Sequence, residues 1–413
     1  MKEKLEGIMS TKTFRDSAVS TFGTVVNGLL GVAYYILIAR FLGPGDYGVF
    51  SVAVTSVALI ASIANVGIDT GILRFRGEPK FLKLGLGLKV ISSFLVLGLG
   101  WFLVPPVVEA VFTKPELIFP LRLSLLGVGS ALLFSFAASA LQALEKFWAW
   151  TFVNVFSNFL RLLSVFFLLA VGSVTVAGGL YGYIAAPLAG FAVGIFVIPN
   201  FWKEKTDKKV LSEFLNFNKW IALFTLITAV ASRADIFIST RLLSLTEVGI
   251  YSVAVSLTSI IPQIVLAIAS VVAPKLSRFT TKGDVIRYLK KLQLFVLGLA
   301  VLGVPVGVVV GRVLIGAIYG PEYAGSFNPL VVLLISQAIF LISVPAHTSI
   351  NYYFSRPSVF VWVALGYLLL VSGLGYQLIA RFGYMGAAWT MLLGNVFNFV
   401  VPGTWVIREF RKK

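Results

Sequence analysis

The 413-residue sequence predicts an all-α integral membrane protein: twelve transmembrane helices in two pseudo-symmetric, parallel lobes of six. Three observations carry that expectation. The mean hydropathy is +0.94. Hydrophobic residues make up 58% of the chain and charged residues only 12%, whereas a soluble domain is nearer half apolar and a quarter charged. The chain also repeats itself at an offset of about 201 residues, and its positive charge is strongly one-sided.

Apolar runs of about 20 residues, each able to cross ~30 Å of hydrocarbon, fall near 18–40, 48–70, 84–104, 119–141, 148–170, 179–200, 219–240, 248–271, 292–310, 328–350, 358–380 and 385–407. The first run is long and lacks a small-residue cleavage site, so it reads as span 1 rather than a signal peptide.

The repeat divides these spans six and six. Residues 40–54 (RFLGPGDYGVFSVAV) match 241–255 (RLLSLTEVGIYSVAV) at seven of fifteen positions, and 96–108 match 296–308 at seven of thirteen. Gly182-Tyr183 and Gly383-Tyr384 fall on the same offset. An even number of spans per copy makes the copies parallel, a common way to build a transporter with its site at the seam. The expected lobes are 1–200 and 219–413, joined by a cytoplasmic amphipathic linker, 201–218, with Val210, Leu211, Phe214 and Leu215 on one face.

With the N-terminus in the cytoplasm, twenty-six of the 34 Lys and Arg lie on the cytoplasmic side and five on the other. The cytoplasmic set runs from Lys2 and Lys4 through Arg74, Lys89, Lys205 and Lys290 to Lys413. This bias places both termini inside. It also assigns the net charge of +17 to topology and headgroup attraction rather than to nucleic acid. The expected location is the cell (plasma or inner) membrane. With no Cys and one His, His347, disulfides, thiolate sites and a His metal cluster are excluded within the chain.

Polar residues inside spans are costly and mark cavities or helix contacts. Span 5 carries Thr151, Asn154, Asn158 and Arg161 on one face, spaced 3, 4 and 3. Span 7 carries Thr225, Thr228, Ser232, Asp235 and Ser239, also on one face, with Thr24, Asn27, Gly31, Tyr34 and Ile38 as first-repeat counterparts. Span 8 carries Ser252, Ser256, Gln263 and Ser270, matched by Ser51, Thr55, Ser62 and Asp69.

An arginine at mid-span costs about 2.5–3.5 kcal/mol on insertion scales, so Arg161 and Arg233 need partners. Either they line a cavity for an anionic substrate, a guanidinium fork matching phosphate, or they pair internally with Asp235 or Asp69. Asp235 and Asp69 are candidate proton or sodium sites; pairing with Arg233 is the plainer role for Asp235, and Asp69 lies near the cytoplasmic end of span 2, close to Arg74. Arg122 is expected to snorkel. Pro187, Pro262 and Pro345 interrupt spans 6, 8 and 10, and Pro105-Pro106 and Pro305 occupy matching places in spans 3 and 9.

The string FLGPGDYGVFSVAV, its second copy, IYGPEY at 318–323 and FGYMGAAW at 382–389 resemble the polysaccharide-transporter family. These are O-antigen-type lipid-linked oligosaccharide flippases of the multidrug/oligosaccharidyl-lipid/polysaccharide (MOP) superfamily. The resemblance covers essentially the whole chain through structural turns, so it points to family more than to substrate. It implies a MATE-like, V-shaped carrier that is not an enzyme. Such a carrier moves a polyprenyl-diphosphate-linked glycan from the cytoplasmic to the outer leaflet by alternating access. Its partners would be the lipid-linked glycan, membrane lipids and glycan-assembly enzymes; no cofactor is implied beyond a coupling Na+ or H+. On this expectation Arg161 and Arg233 hold the diphosphate, while Asn154, Asn158 and Asn27 bond sugar hydroxyls. A multidrug/cation antiporter of the same fold is the alternative, disfavoured by one deep Asp against two deep Arg. A membrane glycosyltransferase would need larger extramembrane loops.

Overall fold

The computed structural model describes residues 12–204, 206–279 and 281–412, with the side chains of 12–18, Trp220 and Ser270 not among them. Lys2, Lys4, Lys205 and Lys413 of the positive set, and the Ser270 side chain, therefore lie outside the described residues.

Every described element is helical, and the chain divides into two compact units: Met1–Leu42 with Val49–Ala229, and Gly43–Gly48 with Val230–Lys413. In chain order the first stretch comprises α1 (Lys12–Ala64), α2 (Ile68–Arg74), α3 (Pro79–Val107), α4 (Ile118–Ala143), α5 (Phe147–Ala170), α6 (Val176–Val197) and α7 (Lys208–Ala231). There follow α8 (Ala234–Leu242), α9 (Leu245–Thr258), α10 (Ile260–Leu276), α11 (Lys282–Val313), α12 (Phe327–Ile342), α13 (Val344–Tyr352) and α14 (Ser358–Lys412).

Ten of the described helical stretches are long and apolar enough to cross a membrane. Two are double. At 53 residues α1 would extend ~80 Å if straight, far beyond a bilayer core. It breaks at Gly43 (φ 75, ψ 169). The 55-residue α14 breaks likewise at Gly383 (φ 59, ψ −143). Both angles need glycine. The two breaks turn ten stretches into twelve legs.

Proline marks the other breaks. Pro262 cannot bond the Thr258 carbonyl, and the chain leaves α9 at Ser259 before restarting as α10. Pro345 does the same to Leu341, at the Ser343 junction of α12 and α13. Spans 3 and 9 both end in a π-helical turn, Val108–Phe112 and Leu314–Tyr319. Each turn is followed by a positive-φ residue, Thr113 or Gly320, and then a short 3-10 helix opened by Pro-Glu, Pro115–Leu117 or Pro321–Ser326. The duplication thus extends to irregular turns whose sequences alone do not align.

In the first unit, the start of α7 carries the linker's apolar face into protein. Val210 and Phe214 are buried in one core with Ile72, Phe81, Phe136 and Phe201, while Leu215 stays exposed. Gly71 makes room for the Phe214 ring. In the second unit, Val272, Leu276, Leu292, Val296 and Leu341 form the main core. A smaller cluster joins Ala231, Ala234, Tyr367 and Val371.

Candidate functional site

The polar face of span 5 is real, and it assembles a cationic cluster inside the first unit. Asn158 Nδ2 donates to Asn27 Oδ1 at 2.5 Å, and Arg161 Nη1 donates to Asn158 Oδ1 at 3.0 Å. The guanidinium lies over the Tyr183 ring (4.3 Å to its centre) and near the Tyr34 ring (5.7 Å). Tyr34 is fixed in turn by donating to the Gly179 carbonyl at 2.9 Å. Two tyrosine faces and one amide therefore hold Arg161 in place.

Among the described residues no carboxylate lies within ion-pair distance of Arg161, and its buried Nε has no hydrogen-bond partner. The internal pairing considered from sequence does not occur. A positioned, half-buried guanidinium with an unused donor is suited to an anion. Asn154 stands one turn away and donates to its own helix, at Trp150 O (2.8 Å).

Asp69 does not pair with Arg74. Its Oδ1 accepts from Lys89 Nζ at 2.5 Å and from Ser139 Oγ at 3.0 Å, and Lys89 also meets Ser135 Oγ. Lys89 is fully buried. The run 84–104 surrounds it with apolar residues, so a lysine inside an apolar run was the signal available. Its partner was not, because Asp69 is twenty residues away on another helix.

The second unit holds a carboxylate instead. The face expected of span 7 is interrupted: the helix breaks between α7 and α8 at Arg233 (φ −127, ψ 0), which caps α8. Thr225 and Thr228 lie before the break, in the first unit, and Asp235 and Ser239 after it, in the second. Asp235 is buried and its Oδ2 accepts from Tyr251 Oη at 2.6 Å. Among the described residues its Oδ1 has no side-chain donor, and Ser239 Oγ, one turn on, is also buried without a partner. Among the described residues Asp235 makes no ion pair with Arg233. Arg122, expected to snorkel, lies over the Trp101 ring, 4.7 Å from its centre.

The repeat is visible in these contacts. At an offset of 201, Tyr34 corresponds to Asp235 and Phe50 to Tyr251. The first pair meet as rings 6.2 Å apart in their own unit, the second as a hydrogen bond in theirs. One geometry carries an aromatic contact in one copy and a carboxylate in the other.

Solved structures share this fold. The chain aligns over 94% of its length with 95% of an inward-facing multidrug resistance MATE family transporter of the MOP superfamily (TM-score 0.71, 15% identity). It aligns over 96% of its length with 89% of the lipid II flippase MurJ in an inward closed conformation (TM-score 0.74, 14% identity). It also aligns over 96% of its length with 96% of the MATE transporter ClbM in complex with Rb+ (TM-score 0.59, 18% identity). No curated protein sequence matches. A model of the polysaccharide biosynthesis protein family matches residues 37–328, from the end of span 1 to the start of span 10. That is well over half of the chain, and with the duplicated helical architecture it places the protein: the chain belongs to the polysaccharide biosynthesis protein family.

Proposed function

We propose that this protein is a flippase for a polyprenyl-diphosphate-linked oligosaccharide, moving the head group from the cytoplasmic to the outer leaflet of the cell membrane by ion-coupled alternating access. The observation that carries the reading is Arg161: a guanidinium midway along an apolar helix, held by Tyr183, Tyr34 and Asn158 and paired with no carboxylate among the described residues. A bilayer protein has no reason to keep such a charge without an anion to meet it. Membership of the polysaccharide biosynthesis family supports a glycan as the cargo, and the MurJ-like fold supports a lipid-linked one. The lipid tail stays in hydrocarbon while diphosphate and sugars take the polar path. Arg161 of the first unit and Arg233 of the second are the proposed diphosphate contacts. Asn27, Asn154 and Asn158 are the proposed hydrogen-bonding residues for sugar hydroxyls.

Asp235 is the proposed coupling site, since one oxygen and the neighbouring Ser239 hydroxyl stand free of side-chain partners. Asp69 is proposed in the same role in the first unit, with Lys89 as the cation that a proton or sodium ion must displace. A multidrug/cation antiporter is the second reading, favoured by the buried Asp235 carboxylate and the MATE-like fold.

Translocation of a fluorescent lipid-linked glycan in proteoliposomes separates these readings. Arg161→Ala should slow it at least ~10-fold, as expected for one charge-assisted contact. An unchanged rate at equal incorporation overturns the diphosphate role. Asp235→Asn should abolish the acceleration produced by an imposed sodium or proton gradient while leaving gradient-free glycan movement in place. If the gradient still accelerates the Asn variant, Asp235 is not the coupling group. Uptake of cationic dyes without glycan movement would establish the antiporter.

A further inference from the structure

Each unit has an apolar groove where its third and fourth spans meet, and within a helical turn of residues lining each groove an arginine lies over an aromatic ring. In the second unit a cavity of about 360 Å³ lies against α9 to α12, lined by side chains such as Ile260, Leu299, Val306, Leu330 and Leu334. The floor is opened by glycines of α11. Gly307 and Gly311 lie against Leu334 and Leu330, and a Cβ on Gly303 would meet nothing within 4 Å. One residue beyond Gly311, exposed Arg312 lies over the Phe327 ring at 5.9 Å, one helical turn before Leu330.

In the first unit a smaller cavity of about 200 Å³ lies between α3 and α4, lined by Phe94, Leu97, Leu125 and Leu126 among others. One turn before Leu125, Arg122 stacks on Trp101, and its buried Nε has no partner. The two arginines are not repeat equivalents: one opens the fourth span of its copy, the other closes the third. The same arrangement is thus built twice from different positions. Among the described residues neither arginine has a carboxylate within ion-pair distance.

We propose that each groove is a binding site for one anionic phospholipid, an acyl chain lying in the apolar channel and the headgroup phosphate on Arg312 or Arg122. Charge complementarity argues for a phosphate, because a guanidinium backed by a ring face keeps its fork free for two oxygens. Length argues for an acyl chain. From Leu299 to Gly311 the groove follows α11 for roughly 18 Å, which suits a chain crossing its own leaflet of a ~30 Å core. A polyprenyl chain, several times longer, would have most of its length outside. The sites are independent of the transport reading, and their occupancy is measured without substrate.

The test is native mass spectrometry of the full-length protein, delipidated in detergent and titrated with phosphatidylglycerol. The wild type should take up two lipids ahead of non-specific binding. Arg312→Gln and Arg122→Gln should each weaken one of the two by about tenfold, close to 1.4 kcal/mol. Gly303→Leu should empty the larger groove without loss of melting temperature, because the new side chain enters open space. Equal uptake by all four proteins means that the lipid is only annular and overturns the proposal. So does displacement of phosphatidylglycerol by equimolar polyprenyl phosphate, which would make the grooves carrier sites.

Discussion

Replacing Lys89 with methionine is expected to destabilise the protein by about 3–5 kcal/mol, the usual cost of leaving one partner of a buried ion pair uncompensated. Methionine fills a similar volume, so the loss is electrostatic rather than a cavity. Asp69 would keep only the Ser139 hydroxyl at 3.0 Å of its present side-chain donors. The Asp69 side chain is 26% exposed while Lys89 is fully buried. Partial hydration of the stranded carboxylate puts the expected loss toward the lower end. The double variant Asp69→Asn, Lys89→Met removes both charges and should recover most of the stability, since a neutral pair of similar volume has no desolvation debt. Thermal unfolding in detergent measures all three proteins. A double variant as unstable as Lys89→Met would show that shape, not charge, sets the effect.

The twelve legs and their duplication were legible because both depend on properties local in sequence. Twenty apolar residues suffice to read a span, and a tight turn keeps its residues through duplication. Arg161, Asn158 and Asn154 were legible for the same reason: spacings of 3 and 4 define one helix face whatever surrounds it. What could not be read was pairing across helices. Asp69 meets Lys89 rather than the nearer Arg74, and Asp235 meets Tyr251 rather than Arg233. Neither choice follows from separation along the chain. The break in span 7 was hidden for a different reason, since reading a periodic face presumes an unbroken helix. The turn at Arg233, whose amide donates to the Val230 carbonyl at 3.2 Å, has no proline or glycine to announce it. Tyr183 and Tyr34, whose rings hold Arg161, read as ordinary apolar bulk until the helices are assembled.

Alanine at Gly48 or Gly249 should be among the most damaging single methyl additions in the chain. The two copies of the signature turn meet within the second unit in a reciprocal crossing. A Cβ on Gly48 would overlap the Leu245 carbonyl, and one on Gly249 would overlap the Pro44 carbonyl. At an offset of 201, Gly48 corresponds to Gly249 and Pro44 to Leu245, so each contact is the image of the other. The helices beginning there are pinned differently. Pro44 and Asp46 follow the Gly43 break in one copy. In the other, Ser244 Oγ accepts from the Glu247 amide at 3.3 Å while Glu247 accepts from the Ser244 amide at 3.0 Å. Because the obstacle is backbone held at both helix starts, no rotamer change relieves it. Each substitution should cost at least the ~1–3 kcal/mol of ordinary overpacking. The double variant should lose less than the sum, since the crossing opened by one methyl already admits the other. Gly98→Ala and Gly298→Ala, where a Cβ meets nothing within 4 Å, provide the contrast. In a helix interior they should raise stability by roughly 0.5–1 kcal/mol. Melting temperatures of the five variants decide the matter. Gly48→Ala melting with the wild type would mean that the crossing is looser than backbone contact, and that the conserved spacing of the two turns has some cause other than this close approach.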